Sequence, residues 1–115
     1  MFEDTCATLV REMREELKAD IYIQRLLWVC EDFYEYAGSK VHELCFYYLA
    51  SFLYPEQIRS DGSFWVKELD GTDLEFVWLP IVEVREAEIY PRFLRNGLLN
   101  LPEHIERLVD MELGH

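Results

Sequence analysis

From Ile21 to Tyr36 the chain is dense in Ile, Leu, Trp, Val, Phe and Tyr, the side chains that suit a pleated, half-buried surface. Ala37-Gly38-Ser39 interrupts that run, and Val41 to Phe52 resumes it. Two β-type runs around a short turn spell a hairpin with long arms, and this constrains the fold more than any other segment. A turn centred on Ala37-Gly38 sets Cys30 opposite Cys45. The cysteines number three with Cys6, an odd count with no metal-finger spacing, and the expectation is buried reduced thiols rather than a disulfide.

Before the hairpin, Phe2 to Leu17 read as a helix. Phe2, Cys6, Leu9, Val10, Met13 and Leu17 gather on one arc of about 100° at the α-helical advance per residue. After it, residues 54–62 form a loop with a short helical turn. Phe64 to Leu69 and Leu74 to Trp78 are strands around a turn at Asp70-Gly71. Pro80 opens a short helix to about Ala87, Pro91 to Leu99 form another, and Pro102 to Val109 make an irregular or helical tail. No repeat, linker or low-complexity segment divides the 115 residues, so one domain spanning 1–115 is expected. The class is α+β, with helices flanking a mixed sheet.

Half of the residues are hydrophobic and 15% are aromatic, which is the composition of a globular chain. A formal net charge of -12 argues against a nucleic-acid polymer as partner, because phosphate backbones demand basic surface. It leaves room for a nucleotide bound through metal ions, since the cation supplies the positive charge. The acidic start lacks the long apolar run of a signal peptide, and no stretch reaches transmembrane length. No membrane partner and a cytoplasmic location are the expectations.

The first helix carries the chemistry. Glu12, Glu15 and Glu16 fall within roughly 100° of helix surface, where three carboxylates repel one another unless a cation sits among them. Hard divalent cations such as Mg²⁺ take oxygen ligands of this kind. The competing reading is a solvated face on which Arg11 pairs with Glu15 one turn on.

With Glu3 included, this stretch resembles the Nudix box, G-x5-E-x7-R-E-U-x-E-E-x-G-U, where U is a bulky aliphatic residue. Glu3, Arg11, Glu12, Met13, Glu15 and Glu16 stand at the motif's positions. The opening Gly would precede Met1, and Lys18 and Ala19 occupy the closing Gly and aliphatic positions. Downstream, residues 42–49 resemble a mid-domain strand of the family. Residues 75–80 resemble its late strand entering a helix, and residues 89–102 the C-terminal tail of a bacterial subgroup.

The resemblance implies a Nudix-like mixed sheet flanked by helices, N-terminally truncated, because the strands and Gly-rich loop that precede the box would lie before Met1. It implies a hydrolase that uses Mg²⁺ or Mn²⁺ to cleave the pyrophosphate bond of a nucleoside diphosphate derivative. Glu15 and Glu16 would be the principal metal ligands, and Glu12 a further ligand or the general base. Arg11 would orient the glutamates, with Glu3 as its structural partner. A further acidic ligand would come from a later loop, among Glu68, Asp70, Asp73 and Glu75. A shortened sheet would expose an edge, through which a homodimer could form. The alternative is a degenerate, non-catalytic remnant acting as a binding or oligomerising module.

The remaining aromatic and histidine residues have plainer readings. His42 beside Glu43 is read as an ordinary strand histidine, His104 and His115 as incidental, and Trp78 as a core anchor. Trp28, Tyr34, Tyr36, Phe46, Tyr47 and Tyr48 could stack on a base, but alternating aromatics more simply fill the sheet core.

Overall fold

In a computed structural model, residues 4–58, 62–67 and 71–112 are described. The element order is α1 (Thr5–Leu17), β1 (Ile21–Tyr36), β2 (Ser39–Phe52), β3 (Ser63–Lys67), β4 (Asp73–Val77), α2 (Leu94–Gly97) and β5 (Glu106–Glu112). Single 3₁₀ turns lie at Pro55–Gln57 and Ile81–Glu83. The class is α+β, as expected. The expected single mixed sheet is two sheets among the described residues, a three-stranded one in the order β2-β1-β5 and a separate β3-β4 ribbon.

The long hairpin forms as its composition demands, and its turn has a specific geometry. Ala37 and Gly38 both take positive φ, 51° and 83°, in a two-residue connection. That is the type I′ pattern, whose twist matches the right-handed twist of the strands. Three sequence expectations need correction. Residues 102–109 are not an irregular or helical tail: β5 pairs parallel with β1, in register from Trp28 opposite Glu106 to Tyr34 opposite Glu112. The helix expected over Pro91–Leu99 contracts to Leu94–Gly97, and that expected from Pro80 to Ala87 contracts to the turn at Ile81–Glu83.

The chain divides into two compact units that share the hairpin. Unit 1 comprises residues 1–24 and 50–79, and unit 2 comprises residues 25–49 and 80–115. Unit 1 holds α1, the outer end of the hairpin and the β3-β4 ribbon, with Ala19 and Ile21 buried. Leu17, Phe52, Ile58, Phe64, Phe76 and Trp78 line an apolar cavity of about 140 Å³ there. Trp78 packs its ring 5.8 Å from that of Phe52, yet it remains 39% exposed, so it closes the edge of this cluster instead of anchoring its centre.

Unit 2 is organised around Trp28, 2% exposed. Phe93 and Tyr47 meet its ring edge-on at 5.2 and 6.3 Å, and its indole N–H donates to Glu106 Oε1 at 3.1 Å. Leu27, Cys30 and Val84 complete the buried set in this unit. The aromatic residues thus divide between roles: Trp28 and Tyr47 fill the core, while Tyr36 and Phe46 stand exposed on the strands.

Candidate functional site

The helix α1 begins because Asp4 caps it. The Asp4 carboxylate accepts the Ala7 N–H at 2.7 Å, satisfying one of the donors that a helix start leaves open. Cys6, Leu9, Val10, Met13 and Leu17 are half-buried along one stripe, and Arg11, Glu12, Arg14 and Glu15 are exposed. The amphipathic division therefore follows the expected arcs, with Glu16 half-buried at the border. Phe2 and Glu3 lie outside the described residues, as do Glu68 and Asp70.

The helix ends at Lys18, which adopts the left-handed conformation with φ 56° and ψ 34°. Its N–H bonds to the Arg14 carbonyl at 3.1 Å, and the Ala19 N–H reaches the Met13 carbonyl at 3.3 Å. Glycine is the ordinary occupant of such a helix end, because a Cβ there crowds the backbone. Lys18 stands where the resembled motif carries its closing Gly, so a positive-φ position is filled by a residue that pays steric strain for it.

Arg11 reaches Glu15 in an ion pair of 3.0 Å across one turn, as the solvated-face reading expects. Lys18 Nζ donates to the Glu15 carbonyl at 3.0 Å. Glu12 projects to solvent on the same arc. Among the described residues, no three His, Cys, Asp or Glu side chains converge in a geometry that could hold a metal ion. Asp73, one of the later acidic candidates, is paired with Lys67 at 3.1 Å across the β3-β4 ribbon. On the other flank of α1, Asp4, Arg11 and Arg14 border an open groove of about 610 Å³ floored by Cys6, Ala7 and Val10.

A polar clasp that spacing did not reveal fixes the helix in unit 1. Arg14 Nε donates to Asp20 Oδ1 at 2.8 Å, and Gln57 Nε2 donates to Asp20 Oδ2 at 3.0 Å. The Asp20 N–H in turn donates to Gln57 Oε1 at 2.9 Å, and its carbonyl accepts the Leu53 N–H at 2.9 Å. The Gln57 bond first, and the Arg14 bond next, hold the Asp20 carboxyl below its usual range. The end of α1 is thereby tied to the start of β1 and to the Pro55–Gln57 turn. This gives the glutamate arc a rigid support.

In unit 2, His42 stacks on Phe33 at 4.2 Å and stands 3.4 Å from Glu31, the setting of a strand histidine. Cys30, Cys45 and Cys6 are free thiols. Burial, reinforced by the Asp32 and Asp110 carboxylates, pushes the Cys30 thiol up to about 11. Burial also raises the Cys45 thiol and the Tyr47 phenol. Tyr34 donates to Glu43, and that bond pushes its phenol up to about 12.

No protein-family model matches the chain, and comparison with curated proteins finds no similar sequence. No helix among the described residues is long and apolar enough to cross a membrane.

Proposed function

We propose that the chain is a Nudix-type domain whose α1 carboxylates serve the Mg²⁺- or Mn²⁺-dependent hydrolysis of a nucleoside diphosphate derivative at its pyrophosphate bond. The observation that carries this reading is the helix itself. It spans the motif from Arg11 to Glu16 and turns left-handed at the closing-Gly position.

Glu12, with Glu15 and Glu16 three and four residues on, offers hard oxygen donors along one arc, a donor set whose chemistry fits such a cation. When bound there, the ion would neutralise phosphate oxygens and acidify the attacking water. Arg11 holds the Glu15 carboxylate in orientation. Glu12, exposed beside them, is placed to take a proton from water.

Binding of Mn²⁺, followed by the loss of its free-ion paramagnetic signal, tests the donor set. The wild-type protein should bind, and Glu16→Gln should weaken binding at least tenfold with the fold intact. Equal binding by both proteins would remove α1 as the metal site.

A second reading is a non-catalytic binding or oligomerising module, favoured by the lack of a converged donor set among the described residues. It predicts weak Mn²⁺ binding by wild type and Glu16→Gln alike.

A further inference from the structure

Unit 1 closes around a gap that its own side chains leave unfilled. Phe64 and Phe76 face each other across the β3-β4 ribbon, and their rings stack at 5.5 Å with 17° between the planes. Phe52, at the end of β2, meets the Trp78 ring at 5.8 Å and 57°. Leu17, the last residue of α1, and Ile58, just past the Pro55–Gln57 turn, add aliphatic walls. Aromatic rings are flat and rigid, so two ring pairs set at different tilts cannot deform to fill the space between them. A cavity of about 140 Å³ remains.

The chemistry of this space is uniform. Val77 completes the lining, and no carboxylate, amide, hydroxyl or basic side chain belongs to it. Val77 and Trp78 are 62% and 39% exposed, so the cavity opens to solvent on their side. A water molecule needs two or more polar partners to be held in a cavity, and these side chains do not supply them. An apolar cavity of about 150 Å³ walled by Leu, Ile and Phe stays dry and takes benzene instead.

We propose that the cavity is a binding site for a neutral small molecule that presents a single aromatic ring. The volume sets the size, since it matches the space that one benzene-sized ring occupies. The walls set the polarity. A ring nitrogen or carbonyl buried there would give up its hydrogen bonds to water and find none in exchange. The net charge of -12 sets the sign, because it opposes an anionic group brought to the mouth. A neutral polar substituent can stay in water beside Val77 and Trp78 while the ring packs against the phenylalanines. The site lies wholly within unit 1, and it stands whether or not the α1 glutamates bind a cation.

Titration of the full chain with benzene from about 0.05 to 10 mM, followed by methyl NMR, tests this. The bound ring should shift the Leu17, Ile58 and Val77 methyl signals saturably. The dissociation constant should be on the order of 0.1–1 mM, well short of the ceiling for so small a ligand. The methyls of Leu27 and Val84, buried in unit 2, should stay in place. Pyrimidine, which has the same outline and two ring nitrogens, should bind at least tenfold more weakly. Ile58→Phe, which puts a ring of the protein's own into the space, should weaken benzene binding at least tenfold. The wild-type comparisons need no variant and decide the matter by themselves if Ile58→Phe does not fold. Absence of a saturable shift at the three methyls, equal binding of pyrimidine, equal shifts at Leu27 and Val84, or full benzene affinity in folded Ile58→Phe would overturn the proposal.

Discussion

Gly97 lies against the ring of Trp28 so closely that a Cβ on it would stand 2.9 Å from Trp28 Cζ2 and 3.1 Å from Cη2. The short helix α2 thus carries its glycine where the largest core side chain of unit 2 needs the space. Gly97→Ala should force the indole off Phe93 and Tyr47 and cost about 1–3 kcal/mol, the range for overpacking a filled core. Urea unfolding followed by tryptophan fluorescence would measure it. A stability equal to wild type would mean that the ring has room to move.

Among the described residues, two that are not glycine hold positive φ, Lys18 at 56° and Ala37 at 51°. Replacing either with Gly removes Cβ strain and returns some of that gain as unfolded-chain entropy. Lys18→Gly and Ala37→Gly should each raise stability by about 0.5–1 kcal/mol, read from the urea midpoint at constant slope. Destabilisation by Lys18→Gly would show that the Lys18 Nζ bond to the Glu15 carbonyl outweighs the backbone strain.

The hairpin and the helix were legible because both rest on local signals, a dense β-type run with a Gly-containing turn and an apolar stripe of helical period. Strand β5 was not legible. Its sequence, Glu-Arg-Leu-Val-Asp-Met-Glu, suits a helix or a strand, and what decides is parallel pairing to β1. The Trp28–Glu106 bond that fastens this pairing joins residues 78 apart. In the candidate site, Arg11 with Glu15 was readable from helical spacing. The clasp was not, because Gln57 meets Asp20 across a separation of 37 residues.

That clasp makes stability depend on acid. Asp20 has its carboxyl lowered by the Gln57 and Arg14 bonds, so its folded-state value lies below its unfolded one. Its contribution is full above the ordinary carboxylate range near 3.8 and fades as pH falls through the lower folded-state value. Asp20→Asn should therefore be less stable than wild type at neutral pH, and the gap should close in strong acid. A gap that stays constant with pH would show that the carboxylate charge contributes nothing.

The three thiols should differ in reactivity. Cys30 is fully buried with its thiol raised to about 11, so little thiolate forms at neutral pH. Iodoacetamide at neutral pH should label half-buried Cys6 first and Cys45, whose thiol is also raised by burial, more slowly, while Cys30 should react only under denaturant. Mass spectrometry of peptides over time would resolve the order. Early labelling of Cys30 would contradict the packing around Trp28.

Turnover tests the functional reading most directly. Release of phosphate or nucleotide from a panel of nucleoside diphosphate derivatives would be measured with Mg²⁺, comparing wild type with Glu16→Gln. The account predicts release by wild type that depends on the cation, and a fall of about 10²-fold or more in the variant, the scale expected when a group central to transition-state charge is removed. No release from folded wild-type protein on any member of the panel, or equal release by Glu16→Gln, would contradict it.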